Sequence, residues 1–369
     1  MLEFSAVRAA IDEGIRRGLH TGVQIYVSVN GRVLLDAGFG EAAPGCPLTS
    51  DHLMPWRSAG KPLTALLVLK QLQHRGISPD ATLGELLPAA AGTDKSGVSI
   101  RSLLMHTSGF PVSDTGWPEA NWSESVSRVL RAACELPMGT AAYHPQSSWF
   151  LLGELLRELS GDGVPFPELI TRELLQPLGL YEVYCGIPET RLEDLASHLP
   201  TLYERDRGTL VVSAWSGGPW LTRCSPGSSF RGPVRQLGRF MELLLAGGRM
   251  ADGTEYAPES VVRSMTTRQR AGQYDQTLQH VVDFGLGLIC DSKRYGAETV
   301  PYGFGRWSSG SCYGHGGSQC ALAMCDPERG LAVAWSANGF CGEGQHQRRN
   351  RLIQDGLYKD LGFTEEGGV

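Results

Sequence analysis

Long apolar runs are missing from this 369-residue chain, and no stretch approaches the ~20 apolar residues that span a bilayer. The opening segment, Met1-Leu-Glu-Phe-Ser-Ala-Val-Arg8, also lacks the basic stretch and apolar run of a secretory leader. A cytoplasmic protein without membrane contact is the expectation. Blocks of like charge are absent too: 33 basic and 39 acidic residues are interspersed, for a net charge of −6 and a pI of about 5.9. With no Lys/Arg run to track phosphates, nucleic acid and anionic membranes are excluded as partners. There is no Cys-x-x-Cys pair, and the nine cysteines are odd in number and scattered, which reads as reduced thiols. Cys312, Cys320 and Cys325 alternate with apolar residues, so strand packing is expected of them and no metal site. Internal repeats and low-complexity tracts are lacking as well.

What is present describes a globular enzyme-sized chain. Apolar residues at 41% and charged residues at 20% exclude intrinsic disorder. A chain of this length buries about 75% of its extended surface, as one large domain or two intimate ones. Phe4, Val7, Ile11 and Ile15 recur at helical spacing. Two β-rich runs, Val23–Val29 and Arg32–Phe39, meet at Asn30-Gly31, a hairpin dipeptide. Pro62 to Leu72 is almost continuously apolar, as in a helix buried on most sides.

From Ile77 to Arg270 the pattern is mainly helical: Ser99–His106, Trp122–Glu135, Ser147–Leu159, Phe166–Gln176 and Val234–Ala246. Ser213–Arg231, rich in Gly, Ser and Trp, reads as an irregular loop. Phe284–Cys290, Gly310–Gly314, Ala321–Cys325 and Leu331–Ser336 read as strands, and Gln347–Leu361 as a closing helix. The expected class is α+β: one antiparallel sheet built from both termini with flanking helices. Its division is an α/β domain of residues 1–76 and 271–369 and an inserted, mainly helical domain of residues 77–270, with the site in the cleft between.

Three short motifs could carry chemistry. Ser58-Ala-Gly-Lys61 puts a hydroxyl and an amine on one face at the head of the buried helix. Burial and the positive helix end disfavour a charged lysine, and a neutral one can activate a serine. A helix cap with a snorkelling lysine has the same spacing. Gly139-Thr-Ala-Ala-Tyr143-His144-Pro145 offers a phenol that, beside Lys61, is expected to be more acidic than in water and to take the serine proton as phenolate. A half-buried tyrosine capping backbone is the alternative. Tyr313-Gly-His315-Gly316-Gly317-Ser318-Gln319 leads into a strand, where glycines let a ligand lie along the edge. A bend with a surface imidazole would read the same way.

In this order the motifs resemble those of the serine β-lactamase-related superfamily, on the side of class C β-lactamases, family VIII esterases and DD-peptidases. Trp56–Thr64, Ile100–Gly109 with Leu-Leu-Met-His-Thr-Ser-Gly, Gln176–Leu180, Gly285–Leu288 and Ser336–Gly339 extend the likeness along nearly the whole chain. The resemblance implies a β-lactamase/penicillin-binding-protein-like fold. It also implies Ser58 as the acylated nucleophile, Lys61 as its base, Tyr143 as proton shuttle, and the Ser58 and Ser318 amides as an oxyanion hole.

Two departures stand out. Pro145 occupies the place of an Asn that grips the acyl side chain, and His315 replaces the Lys that attracts a substrate carboxylate. Both weaken the case for a penicillin or D-Ala-D-Ala substrate. His315, Gly316, Gly317, His144, Trp149, Trp215 and Trp307 are the expected substrate contacts, and His106 is expected to shape a helix end. The implied activity is hydrolysis of a small or medium acyl ester through an acyl-enzyme, with no metal or cofactor and with a small-molecule acyl substrate as partner. The same acyl-enzyme could serve an acyltransferase of natural-product metabolism, and a non-catalytic binding protein on this scaffold is a further alternative.

Overall fold

Asn30 and Gly31 adopt positive φ angles of 51° and 74°, the geometry of a tight hairpin turn, and fold strand Gly22–Val29 back on strand Arg32–Ala43. The computed structural model in which this hairpin is seen describes residues 3–364. The first strand's other edge pairs antiparallel with Leu331–Ala337, from Val23 opposite Ala337 to Val29 opposite Leu331. Segments from the two ends of the chain thus form the centre of one sheet.

That sheet has seven strands, all antiparallel, in the spatial order Ile289–Cys290, Tyr313–Gly317, Ala321–Asp326, Leu331–Ala337, Gly22–Val29, Arg32–Ala43, Cys46–Pro47. Its central strands are buried on both faces, and the side-chain period of two sorts them. Val23, Ile25, Val27, Leu322, Met324, Val333 and Trp335 share a core with Val7 and Ile11 of the helix Ser5–Arg16 and Ile353 and Leu357 of the helix Glu343–Asp360. The opposite face carries small residues, Ala321, Ala323, Ala332 and Ala334, and packs against Leu237, Phe240 and Met241 of the helix Val234–Leu245. Contact there is close enough that a Cβ on Gly238 would sit 2.1 Å from the Tyr26 ring.

This second core continues into the helices Lys61–His74 and Ser147–Ser160, so the apolar Pro62–Leu72 run is buried as its composition predicts. The architecture is mixed α+β with a sheet built from both termini, as the sequence predicts. Details differ where elements are short. The expected strand Phe284–Cys290 reduces to Ile289–Cys290, and Gly310–Gly314 moves to Tyr313–Gly317, so the His-Gly-Gly motif lies on a strand and not before it. Phe166–Gln176 is an α-helix only to Ile170 and then widens into a π-helical turn. The Ser213–Arg231 loop hides two short helical turns and leads into the strand Phe230–Gly232. Three- and four-residue elements are too brief to show a hydrophobic period. Among the described residues no helix is long and apolar enough to cross a membrane.

Candidate active site

The segment Arg57–Gly60 forms a 3₁₀ turn that runs straight into the helix starting at Lys61. In a 3₁₀ turn residues i and i+3 eclipse, which sets Lys61 over Ser58. Neighbours pin the turn from outside. The Trp56 amide donates to Phe230 O at 2.9 Å and its indole to Gly232 O at 3.0 Å, and a Cβ on Gly60 would meet Phe230 at 2.6 Å. Arg57, just before Ser58, holds a φ of +48°, a region costing a non-glycine residue about 1 kcal/mol or more.

Lys61 Nζ lies 3.0 Å from Ser58 Oγ, 2.8 Å from Pro145 O and 2.7 Å from Gly227 O. It is fully buried, and burial holds its pKa well below the usual lysine value. A neutral amine has two hydrogens and one lone pair. In that form the two carbonyls take the hydrogens, and the lone pair is left for the Ser58 hydroxyl to donate into. Ser58 itself is 8% exposed, enough to face an entering ligand.

Tyr143 lines the same cavity as Ser58, and burial pushes the phenol pKa up. This corrects the phenolate expectation. A buried phenolate would go unsolvated, and burial of Lys61 disfavours the cation that would acidify the phenol, so the protonated form of Tyr143 is favoured. Its loop is held by His106 and Asp275. His106 Nδ1 accepts the His144 amide at 3.0 Å and its ring packs 4.6 Å from the Tyr143 ring. Buried, and lowered in pKa by burial and then His144, His106 is a neutral structural imidazole.

Strand Tyr313–Gly317 brings in the third motif. Its neighbour Ile289–Cys290 pairs only with Tyr313 and Gly314, which leaves the edge at residues 315–317 open. The glycines there admit this chain's own groups: a Cβ on Gly317 would lie 2.2 Å from Trp56 O, and one on Gly316 2.0 Å from the Tyr302 ring. Gly317 packs on Trp56, which precedes the Ser58 turn, and the next residue, Ser318, lines the same cavity as Ser58. Ser58 is in the first turn of a helix, where N–H groups lack intrahelical acceptors, and the Ser318 amide has no backbone acceptor among the described residues. His315 Nδ1 donates to Gly316 O at 2.7 Å, which assigns the tautomer and leaves Nε2 a bare acceptor. Burial lowers its pKa to about 3.

A cavity of ≈ 280 Å³ opens on these groups, lined by Ser58, Tyr143, Pro145, His315, Gly316 and Ser318. Thr277, Leu278, Ile289, Pro301, Tyr302, Glu343 and Gln347 complete its walls. A bigger one, ≈ 820 Å³, lined by Asn30, Leu180, Phe240 and Met250 among others, holds none of them.

Several expected contacts stand off the walls. Trp149 packs behind Lys61, its ring 5.1 Å from Nζ, because the lysine needs an apolar lid. Trp215 stacks on the Arg57 guanidinium at 3.8 Å and clusters with Trp117 and Trp220. Trp307 packs against the core beneath the terminal helices. His144 is buried, edge-on to Phe110 and beside Ser147, and Gly317 is taken up by Trp56. Missed by sequence reasoning were the Pro145 and Gly227 carbonyls, Tyr302, Glu343 and the Arg270–Asp275 pair. No local spacing marks them, since each acts across a fold contact.

Comparison with known proteins agrees with this geometry. The Beta-lactamase family profile matches residues 7–358. Over 346 residues the chain is 25% identical to Esterase/beta-lactamase LipL of Mycobacterium tuberculosis, covering 85% of this chain and 76% of that protein. It superposes on a family VIII carboxylesterase with a TM-score of 0.77 and 20% identity, covering 97% of each chain. On EstCE1, a hydrolase with promiscuous acyltransferase activity, the TM-score is 0.77 at 18% identity, covering 96% of this chain and 98% of the other. At such identities the two structures speak to fold alone. A match running from the first helix to the last, through all three motifs, carries the assignment: the chain belongs to the Beta-lactamase family.

Proposed function

We propose that the protein is a serine hydrolase that cleaves a small or medium acyl ester through an acyl-enzyme on Ser58. The observation that carries this reading is the buried Lys61 Nζ, held by Pro145 O and Gly227 O at 3.0 Å from Ser58 Oγ, where burial favours its neutral, basic form. Ser58 Oγ attacks the ester carbonyl and gives its proton to Lys61. The Ser58 and Ser318 amides receive the developing oxyanion, where one such donor is worth about 2.7–4 kcal/mol. Tyr143 protonates the departing alkoxide and recovers a proton from Lys61. Water then attacks the acyl-enzyme by the same route in reverse, releasing acid and free Ser58. The cavity of ≈ 280 Å³ is at the small end for ligand sites, in keeping with a modest acyl group.

The reading as an ester hydrolase draws support from the esterase names of LipL and the family VIII carboxylesterase. An acyltransferase is the second reading, favoured by the likeness to EstCE1: the same acyl-enzyme would pass its acyl group to an alcohol or amine. A fluorophosphonate probe with mass spectrometry tests the shared step. The expected result is one adduct on Ser58, lost in Ser58→Ala. No adduct at all would leave a binding protein on this scaffold. Product analysis with and without an added alcohol or amine separates hydrolysis from transfer.

A further inference from the structure

The cavity before Ser58 has one apolar wall, Leu278, Ile289 and Pro301, and one wall of a different kind. There Glu343 accepts hydrogen bonds from the Tyr302 hydroxyl at 2.5 Å and from Ser318 Oγ at 2.8 Å. Glu343 stands in the first turn of the helix Glu343–Asp360, where the helix dipole favours a negative charge. Its bonded partners are neutral hydroxyls, and among the described residues no ion pair reaches it. Two guanidiniums feel its charge, but neither bonds it nor lines the cavity. Arg57 is held between the Trp215 and Phe340 rings at 3.8 and 4.2 Å, and Arg349 bonds the carbonyls of Leu19, Gly339 and Gln319.

Among the described residues, no lysine or arginine lines the cavity. Lys61 is spent on two carbonyls, and His315 presents an unpartnered, buried Nε2 lone pair. A carboxylate entering here would meet one carboxylate and one imidazole lone pair. An ammonium would meet two partners of the right sign.

We propose that the Glu343 wall is a subsite for a positively charged ammonium group on the ester substrate, and that the site selects against substrates bearing a carboxylate there. This rests on the Ser58 hydrolase reading and names its substrate class. Tyr302 and Ser318 orient the Glu343 carboxylate by donating to it, and the apolar wall takes the methylene chain between the ammonium and the ester.

Two matched substrate triads test it. One varies the acyl group: the p-nitrophenyl esters of 5-(trimethylammonio)pentanoate, 6,6-dimethylheptanoate and adipate. The other varies the alcohol: the butanoates of choline, 3,3-dimethylbutanol and 3-hydroxypropanoate. In at least one triad the cationic ester should have the highest kcat/KM, and Glu343→Gln should compress the cation-to-anion ratio of kcat/KM fivefold or more. Glu343→Lys should invert it. A purely structural Glu343 would lower all three members together and leave the ratios alone. Compression below fivefold in both triads overturns the inference while Ser58-dependent turnover of the neutral esters stands. No turnover of any ester, together with no fluorophosphonate adduct on Ser58, overturns the hydrolase reading itself.

Discussion

Asp275 Oδ1 accepts the Tyr143 amide at 2.9 Å across 132 residues of sequence. The same oxygen accepts the amides of Thr277 at 3.0 Å and Leu278 at 2.9 Å, both on the cavity wall, while Oδ2 takes Arg270 Nη2 at 2.8 Å. Arg270 in turn donates to Met105 O and His106 O. One buried carboxylate therefore joins the phenol's loop, the cavity wall and the end of the Ile100–Leu104 helix.

Removing that carboxylate would leave Arg270 charged and unpaired in a site where it is nearly fully buried. Breaking one partner of such a pair costs about 3–5 kcal/mol. Asp275→Ala is expected to lose that much in urea unfolding and also to reduce kcat by releasing Tyr143. Full stability in the variant would show that water satisfies Arg270 and that the pair is dispensable.

Lys61→Met retains the apolar stem but removes the lone pair that faces Ser58. Loss of a general base costs typically 10²–10⁴ in rate, so kcat on a neutral ester should fall by about that factor while fluorophosphonate labelling slows in parallel. A variant that labels at the wild-type rate would move the base elsewhere.

Tyr143→Phe separates a general acid from a general base. As a protonated donor to the leaving group, the phenol matters most when the departing alcohol is a poor one. The variant should lose about 10²–10⁴ on an alkyl ester and clearly less on the p-nitrophenyl ester of the same acid. Equal losses on both would restore the phenolate role.

Activity should rest on the neutral form of Lys61, so it is present at high pH and lost as pH falls through that lysine's depressed pKa. His315, lowered to about 3, adds no acid limb of its own across the range of about pH 5 to 8. A kcat/KM profile of the wild type and His315→Gln should have the same shape there. A step near the ordinary histidine pKa that vanishes in the variant would refute a neutral, buried His315.

The paired orientation of Ser58 and Lys61 was legible in the sequence because it is local: a spacing of three on a helical turn decides it. So was the Asn30-Gly31 hairpin, since both residues accept a positive φ, and so were the three motifs in their order. Protonation was legible for Lys61, whose place at the head of a buried helix already disfavours its charge, but not for Tyr143. How strongly burial disfavours the lysine's charge depends on Trp149, Gly227 and Pro145, which surround Lys61 and are remote from it in sequence, and burial likewise disfavours a Tyr143 phenolate. The tryptophans misled for a related reason, as a large ring in a Gly- and Ser-rich stretch seeks whichever neighbour fills it, here Arg57 and Lys61, and composition does not say on which side of the catalytic groups that neighbour lies.

Local order along the chain thus determined the helix-head nucleophile, the hairpin and the alternating faces of the strands, because hydrogen-bond geometry and side-chain period act over a few residues. Only tertiary structure decided the protonation of Tyr143, the Asp275 brace and the acidic wall at Glu343, because desolvation and charge depend on what surrounds an atom in space.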